Sequence, residues 1–379
     1  MKTNYLFYAL ICIVSVGKIK AADLYVRDLG AGGAYSTISA AITAASDGDR
    51  IIIKPKIGNV PYLENLSINK SLTFTSENNF SKYYVQGTIS VVPGAGRVVN
   101  IHNMYAFQSG INATSTIITG GRCTINIVNS IADKNLDLDV KNVTANIYGS
   151  TFTNLDFMHG KIMGNTCSYI YLQKESAPSV TSAIYIAGNK ISTIIGYSSY
   201  PVNILNNELE SSITMQDMLS GSTNIIQHNL IKIGSITANS DNPCIVIVEN
   251  NIINPGSTNH EIFSNVTPTV IASYNLSTSA FTTYNVDIQN NNISSGSYTL
   301  DLANFTSSGD IVNAGRPEEE YQDLDLTRSD IGPLGGSNSW ANYWPTNAGN
   351  KPRVMFLNTP RRVYLGTSSI QAEATGISK

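Results

Sequence analysis

The chain alternates short apolar runs with polar corners, and one frame recurs: apolar-x-apolar-x-x-Asn-x-apolar. It runs from Ile184 through Asn189 to Ile191, and from Val202 through Asn207 to Leu209. It recurs from Ile245 through Asn250 to Ile252, and from Val286 through Asn291 to Ile293. Weaker copies centre on Asn165, Asn229 and Asn275. The seven Asn lie 24, 18, 22, 21, 25 and 16 residues apart. Apolar residues at i and i+2 share one face of a strand. Asn tolerates left-handed backbone angles and bonds backbone groups through its amide, so it marks a corner. One such unit cannot bury its apolar face alone, whereas stacking a turn every ~20 residues buries a continuous core. Stacked corners would then form an amide ladder of Asn165, Asn189, Asn207, Asn229, Asn250, Asn275 and Asn291. The same frame predicts a buried column of Ile186, Ile204, Ile247 and Ile288.

The pattern therefore predicts an all-β chain folded as a right-handed parallel β-helix solenoid, with coils stacked over about residues 50 to 312. Drifting spacing and missing signatures exclude ankyrin, tetratricopeptide and leucine-rich repeats, and a propeller needs blades of ~40–50 residues. A jelly roll is the remaining structural alternative. Near the start, Ile38, Ala41, Ile42 and Ala45 line one face of a predicted helix with Ser36 as N-cap, and Asp47, Gly48 and Asp49 end it. Such a helix would cover the open end of the first coil, which otherwise exposes unpaired strand to other chains.

The run from Tyr35 to Ile42, the Asp47–Ile53 segment and the stretch from Tyr62 to Phe74 resemble the opening of the pectin lyase-like superfamily. There it reads as a capping helix followed by the strands of the first two turns. Asn313–Pro317, Asp323 to Asp325, Thr327–Asp330 and Ile331–Gly336 resemble the closing segment of many secreted bacterial β-helix proteins. Leu326 and Ser329 replace the Gly and Asn usual there. The resemblance implies one β-helix domain with caps over 22–340, and it implies fold rather than activity, because the superfamily holds lyases, hydrolases, esterases, epimerases, tailspikes and adhesins. Residues 341–379 depart from the pattern. Trp340, Tyr343 and Trp344 are expected to pack over the last coil, and the rest reads as a docking tail, the start of a further module or a frayed terminus.

Lys2, the apolar run from Tyr5 to Val16 and the small residues Ala21 and Ala22 have the layout of a secretory signal peptide over 1–21. The run is too short for a membrane span, which needs ~20 residues. The expected location is secreted or cell surface. Cys123, Cys167 and Cys244 remain, an odd number without CxxC spacing. They read as buried thiols rather than a disulfide framework, with one bridge between stacked turns as the alternative.

Charged residues make up 13% of the 379, against ~25% in ordinary soluble proteins. With 24 basic and 27 acidic residues the net charge is −3, which disfavours nucleic acid as a partner. The superfamily's catalytic signatures are missing from the sequence. The best local cluster for chemistry is Asp137, Asp139 and Lys141, which strand alternation places on one face, with Asp156 and Lys161 about one coil later. Three carboxylates could hold calcium or contact a sugar, and Lys141 or Lys161 could act as base in a lyase. The same alternation also describes an ordinary solvated face. A second acidic group, Glu318–Glu320 with Asp323, Asp325 and Asp330, reads as a salt-bridged cap neutralised by Arg316 and Arg328. Arg97 and Arg122 have no acid tied to them in the sequence.

These features favour an exported, non-catalytic scaffold that adheres to surfaces or binds glycans, with no cofactor. Tyr105, Tyr148, Tyr169, Tyr171, Tyr185 and Tyr197 are candidate sugar-stacking residues. The alternative is a calcium-dependent polysaccharide lyase acting on a uronate polymer.

Overall fold

The computed structural model describes residues 21–78, 81–116, 118–256, 260–344, 353–358, 369 and 373–377. The expected signal peptide and most of the tail beyond 344 lie outside the described residues. The chain is a parallel β-solenoid of about ten turns. Its coils build a sheet of 13 strands, sheet one, and a sheet of 14 strands, sheet two, in which neighbouring strands come from successive coils and pair in parallel. A small sheet of four strands adds a third side in the N-terminal half.

The core follows from alternation in register. On sheet one, Ile51, Phe74, Ile101, Ile127, Ile147, Ile162, Ile186, Ile204, Ile226, Val248 and Ala272 stand one above another, all buried. Ile186 and Ile204 hold their expected places in this column, but Ile247 and Ile288 do not. Ile247 pairs with Ile225 and Ile271 on the outer face, and Ile288 is 45% exposed. The cause is a one-residue slip in reading the frame. In Ile245–Val248 both parities are apolar and two Asn follow, so the pattern is degenerate, and a shift of one flips every side chain to the other face.

The ladder shows the same slip. Each rung's backbone N–H and Nδ2 both reach the Oδ1 of the next, through Asn165, Asn189, Asn207, Asn229, Asn251, Asn275 and Asn292, at 2.9–3.0 Å. Asn250 and Asn291 are thus not rungs. They stand one residue earlier, at φ of 57° and 55°. That position is left-handed before every rung: Gly164, Gly188, Asn206, His228 and Tyr274 hold it elsewhere. The ladder also continues below Asn165 with hydroxyls. Ser150 N–H donates to Asn165 Oδ1, Ser130 N–H to Ser150 Oγ, and Met104 N–H to Ser130 Oγ.

Helix α1 (Ile38–Ala44) buries Ile38, Ala41 and Ile42 against the first strands. Its N-cap is Thr37 rather than Ser36, with Ala40 N–H donating to Thr37 Oγ1 at 3.1 Å. The following coil completes both ends. Glu64 accepts from the Ile38 and Ser39 amides at 2.9 and 2.8 Å, and Lys70 donates to the Ile42, Thr43 and Ala45 carbonyls. A carboxylate at the N-terminus and an ammonium at the C-terminus suit the orphan groups and the helix dipole.

The segment 311–344 runs back along the left-handed corners as a strap. Ile311 and Ile331 cover Leu230, Ile252 and Leu276. Asn206 Nδ2 donates to the Pro333 and Gly335 carbonyls at 2.9 and 2.8 Å. Arg316 pairs with the buried Glu249, and its N–H donates to Asn250 Oδ1 at 3.0 Å. Tyr343 ends the strap on Val128, Met163, Ala187 and Leu205, and Trp344 Nε1 donates to Gly188 O at 2.7 Å. Trp340, Tyr343 and Trp344 therefore sit over the middle turns, not the last coil. Asp323 serves this strap by accepting from the Asp330 and Gly336 amides, and Arg328 donates to the Gly315 carbonyl rather than to an acid.

Candidate functional site

The outer face of sheet two carries the expected acidic positions. Leu136 and Leu138 point into the core, so Asp137 between them points out. Register then stacks Ser90, Asn112, Asp137, Asp156 and Tyr171 in one outward row. Asp137 and Asp156 are direct neighbours on adjacent parallel strands. Burial, and then the nearby Asp139, raises the Asp137 carboxyl above its usual range. Asp156 is raised by burial and by Asp139 and Asp137, against a lowering hydrogen bond from Gln173. Carboxylates one strand apart, ~4.8 Å, disfavour each other's ionised form.

The proposed bases do not join them. Lys161 lies on sheet one, between Asn146 and Tyr185, with its ammonium 5.9 Å from the Tyr185 ring centre and its pKa lowered by burial. Lys141 is exposed in the turn between the two sheets. Asp139 follows the strand and is exposed. Among the described residues no group of three or more His, Cys, Asp or Glu is arranged to hold a metal ion.

Asp137 instead borders a groove of about 710 Å³ where sheet two meets the small sheet. Amides, hydroxyls and charges line it, including Asn65, Gln86, Gln108, Asn112, Asp133 and Lys134. Its floor lies close against the next coil at Gly110, where a Cβ would lie 2.0 Å from the Asn135 carbonyl oxygen. Several walls are fixed in place. Gln86 Nε2 donates to Gln108 Oε1 at 2.9 Å, and Asp133 accepts from Tyr105 Oη and the Gln108 amide at 2.8 and 2.7 Å. Tyr105 ties the groove to an aromatic cluster on the small sheet, where its ring centre lies 4.7 Å from Tyr84 and 5.8 Å from Phe107. Further along sheet two, Tyr169 and Tyr171 stack at 5.6 Å with rings 12° from parallel. Tyr148 and Tyr185 are elsewhere, packed on the Tyr343 cluster of sheet one.

One charged cluster was hidden from sequence reasoning. Arg122 donates to both Glu175 oxygens at 3.0 and 3.1 Å, to Tyr200 Oη at 3.2 Å, and to Val143 O at 2.6 Å. Tyr200 also donates to Glu175, and the His159 ring lies 4.6 Å from the Tyr200 ring. The Glu175 side chain is fully buried and Arg122 is 11% exposed, so the cluster anchors the loop after Leu172 rather than facing a ligand. The partners lie 53 and 78 residues from Arg122, with no local spacing to reveal them. Cys123, Cys167 and Cys244 are free and buried. No helix among the described residues is long and apolar enough to cross a membrane.

The chain matches no protein-family model, no curated protein and no solved structure.

Proposed function

We propose that this solenoid is an exported, non-catalytic scaffold of the pectin lyase-like kind, which binds glycans at or beyond the cell surface. One observation carries this reading: the outer face of sheet two joins a polar groove, an in-register row of Asn112, Asp137 and Asp156, and exposed tyrosines in one band. Flat rings meet the apolar faces of sugar rings, and fixed amides and carboxylates bond their hydroxyls. The separation of Lys161 from Asp137 and Asp156 favours binding over the lyase alternative, because a base must reach the proton it removes. The signal-peptide layout of residues 1–21 supports export.

The test is incubation of the protein with a panel of neutral and uronate polysaccharides, with and without calcium. Binding is read by affinity electrophoresis and cleavage by ultraviolet absorbance of unsaturated product. Retarded migration that weakens in Asp137→Asn, without absorbance change, is the expected result. Calcium-dependent release of unsaturated product would replace the scaffold by the lyase, and migration unaffected by any glycan would reject both. N-terminal sequencing of protein recovered outside the cell should begin at about residue 22.

A further inference from the structure

Sheet two carries a second concavity, of about 500 Å³, at the opposite ends of its strands from the first groove. Tyr197, Gln216 and Asn239, the last residues of their strands, form its in-register wall, and Asn265, just after the next strand, also lines it. Its polar groups differ in how firmly they are held. The Asn265 amide is occupied twice by the Ser240 backbone, and Asp217 is held by Lys174 at 3.2 Å. Asn239 Oδ1, by contrast, is shielded from solvent and accepts no hydrogen bond. A shielded acceptor without a partner is unfavourable. Asn239 lines the groove, and an amide can both donate to and accept from a hydroxyl.

The rings supply the second half of the chemistry. Tyr197 is 41% exposed. Phe263, in the wall, stacks on the exposed Tyr284 at 5.1 Å with the rings 6° from parallel. Flat rings beside adaptable amides fit a ligand with apolar C–H faces and a hydroxyl rim. The charge selects among such ligands. Lys174 offsets Asp217, so Asp241 leaves the groove net negative and unfavourable to uronates. The strands carrying Asn112 and Gln216 are five steps apart in the sheet, roughly 24 Å at ~4.8 Å per strand. Occupying one groove therefore leaves the other open, and a long chain reaching both would gain avidity.

We propose that this second groove is a separate binding site for a neutral glycan segment. The assignment rests on reading this face as glycan-binding, and the experiment separates the two. Maltohexaose, cellohexaose and hexagalacturonate are titrated calorimetrically into the parent protein, the Tyr197→Ala/Asn239→Ala variant and the control Ile57→Ala. A neutral hexaose should bind the parent and lose about tenfold or more in affinity in the double variant. It should change by less than about twofold in Ile57→Ala, at a 98% exposed position outside both grooves, as expected for distant sites. Tyr197→Ala alone, at an exposed position, replaces the double variant if that fails to fold. Neutral binding that survives the double variant, or falls equally in Ile57→Ala, overturns the second site while the glycan-binding reading stands. Binding of hexagalacturonate alone does the same, and binding of no saccharide overturns both.

Discussion

Asn207→Ala tests the amide ladder in its middle. Asn207 Oδ1 accepts from the Asn189 backbone N–H and from Asn189 Nδ2, both at 2.9 Å. Its Nδ2 donates to the Ile186 carbonyl at 2.9 Å and to Asn229 Oδ1 at 3.0 Å. All of these groups are buried, and Asn189 and Asn207 have no exposed surface. Truncation leaves the Asn189 N–H without an acceptor and takes one donor from Ile186. An orphaned buried amide costs about 1–3 kcal/mol, and with the further lost bonds the total loss of unfolding free energy should be about 2–5 kcal/mol. Urea unfolding followed by circular dichroism measures it. Hydrogen exchange at the Asn189 amide should accelerate at the same time, because its acceptor is the deleted atom. A loss below about 1 kcal/mol with unchanged protection at Asn189 would refute the reasoning, since one water could then satisfy what the ladder satisfies. An internal control sits at the last rung. Asn292→Ala removes the acceptor for the Asn275 N–H and Nδ2, both at 3.0 Å, and should destabilise. Asn291→Gly, exposed and left-handed at φ 55°, should stay within about 0.5 kcal/mol.

Three further outcomes follow from the packing. Ile186→Ala opens a cavity in the sheet-one column and should cost about 2–5 kcal/mol in denaturant unfolding, whereas Ile247→Ala, on the outer face, should cost much less. Arg122→Ala leaves Glu175 buried and unpaired and should cost about 3–5 kcal/mol, with faster proteolysis of the loop that Glu175 anchors. Burial pushes the Asp323 carboxyl up to about 6, against the lowering bond from the Gly336 amide. With a folded pKa above the unfolded value of about 3.9, the folded chain holds this proton more tightly, so its contribution to stability falls as pH rises from about 4 to about 6. Asp323→Asn should remove that part of the pH–stability curve, and a carbon-13 titration of the side chain should show a midpoint well above the usual one.

The sequence by itself determined the class of fold, because a solenoid repeats its local rule in every turn. Apolar alternation, a left-handed residue and an amide every ~20 residues are near neighbours in the chain, and each copy reinforces the next. The sequence also placed Asp137 and Asp156 on one face, since alternation and a one-coil offset are enough to stack them. Where neighbouring residues were chemically alike, as in Ile245–Val248 or at Asn250 and Asn291, one dimension held no information on parity, and only pairing with the adjacent coils chose the frame. Lys161 fell on the other sheet because coil length sets the register between turns while a bend inside the turn decides which side a residue faces. The strap was beyond the repeat altogether. Arg316 meets Glu249 across 67 residues and Trp344 meets Gly188 across 156, and such contacts are selected by the shape of the finished surface rather than by any local pattern. The tertiary structure likewise decided the grooves, because a concavity belongs to the edges of stacked coils and to no single one of them.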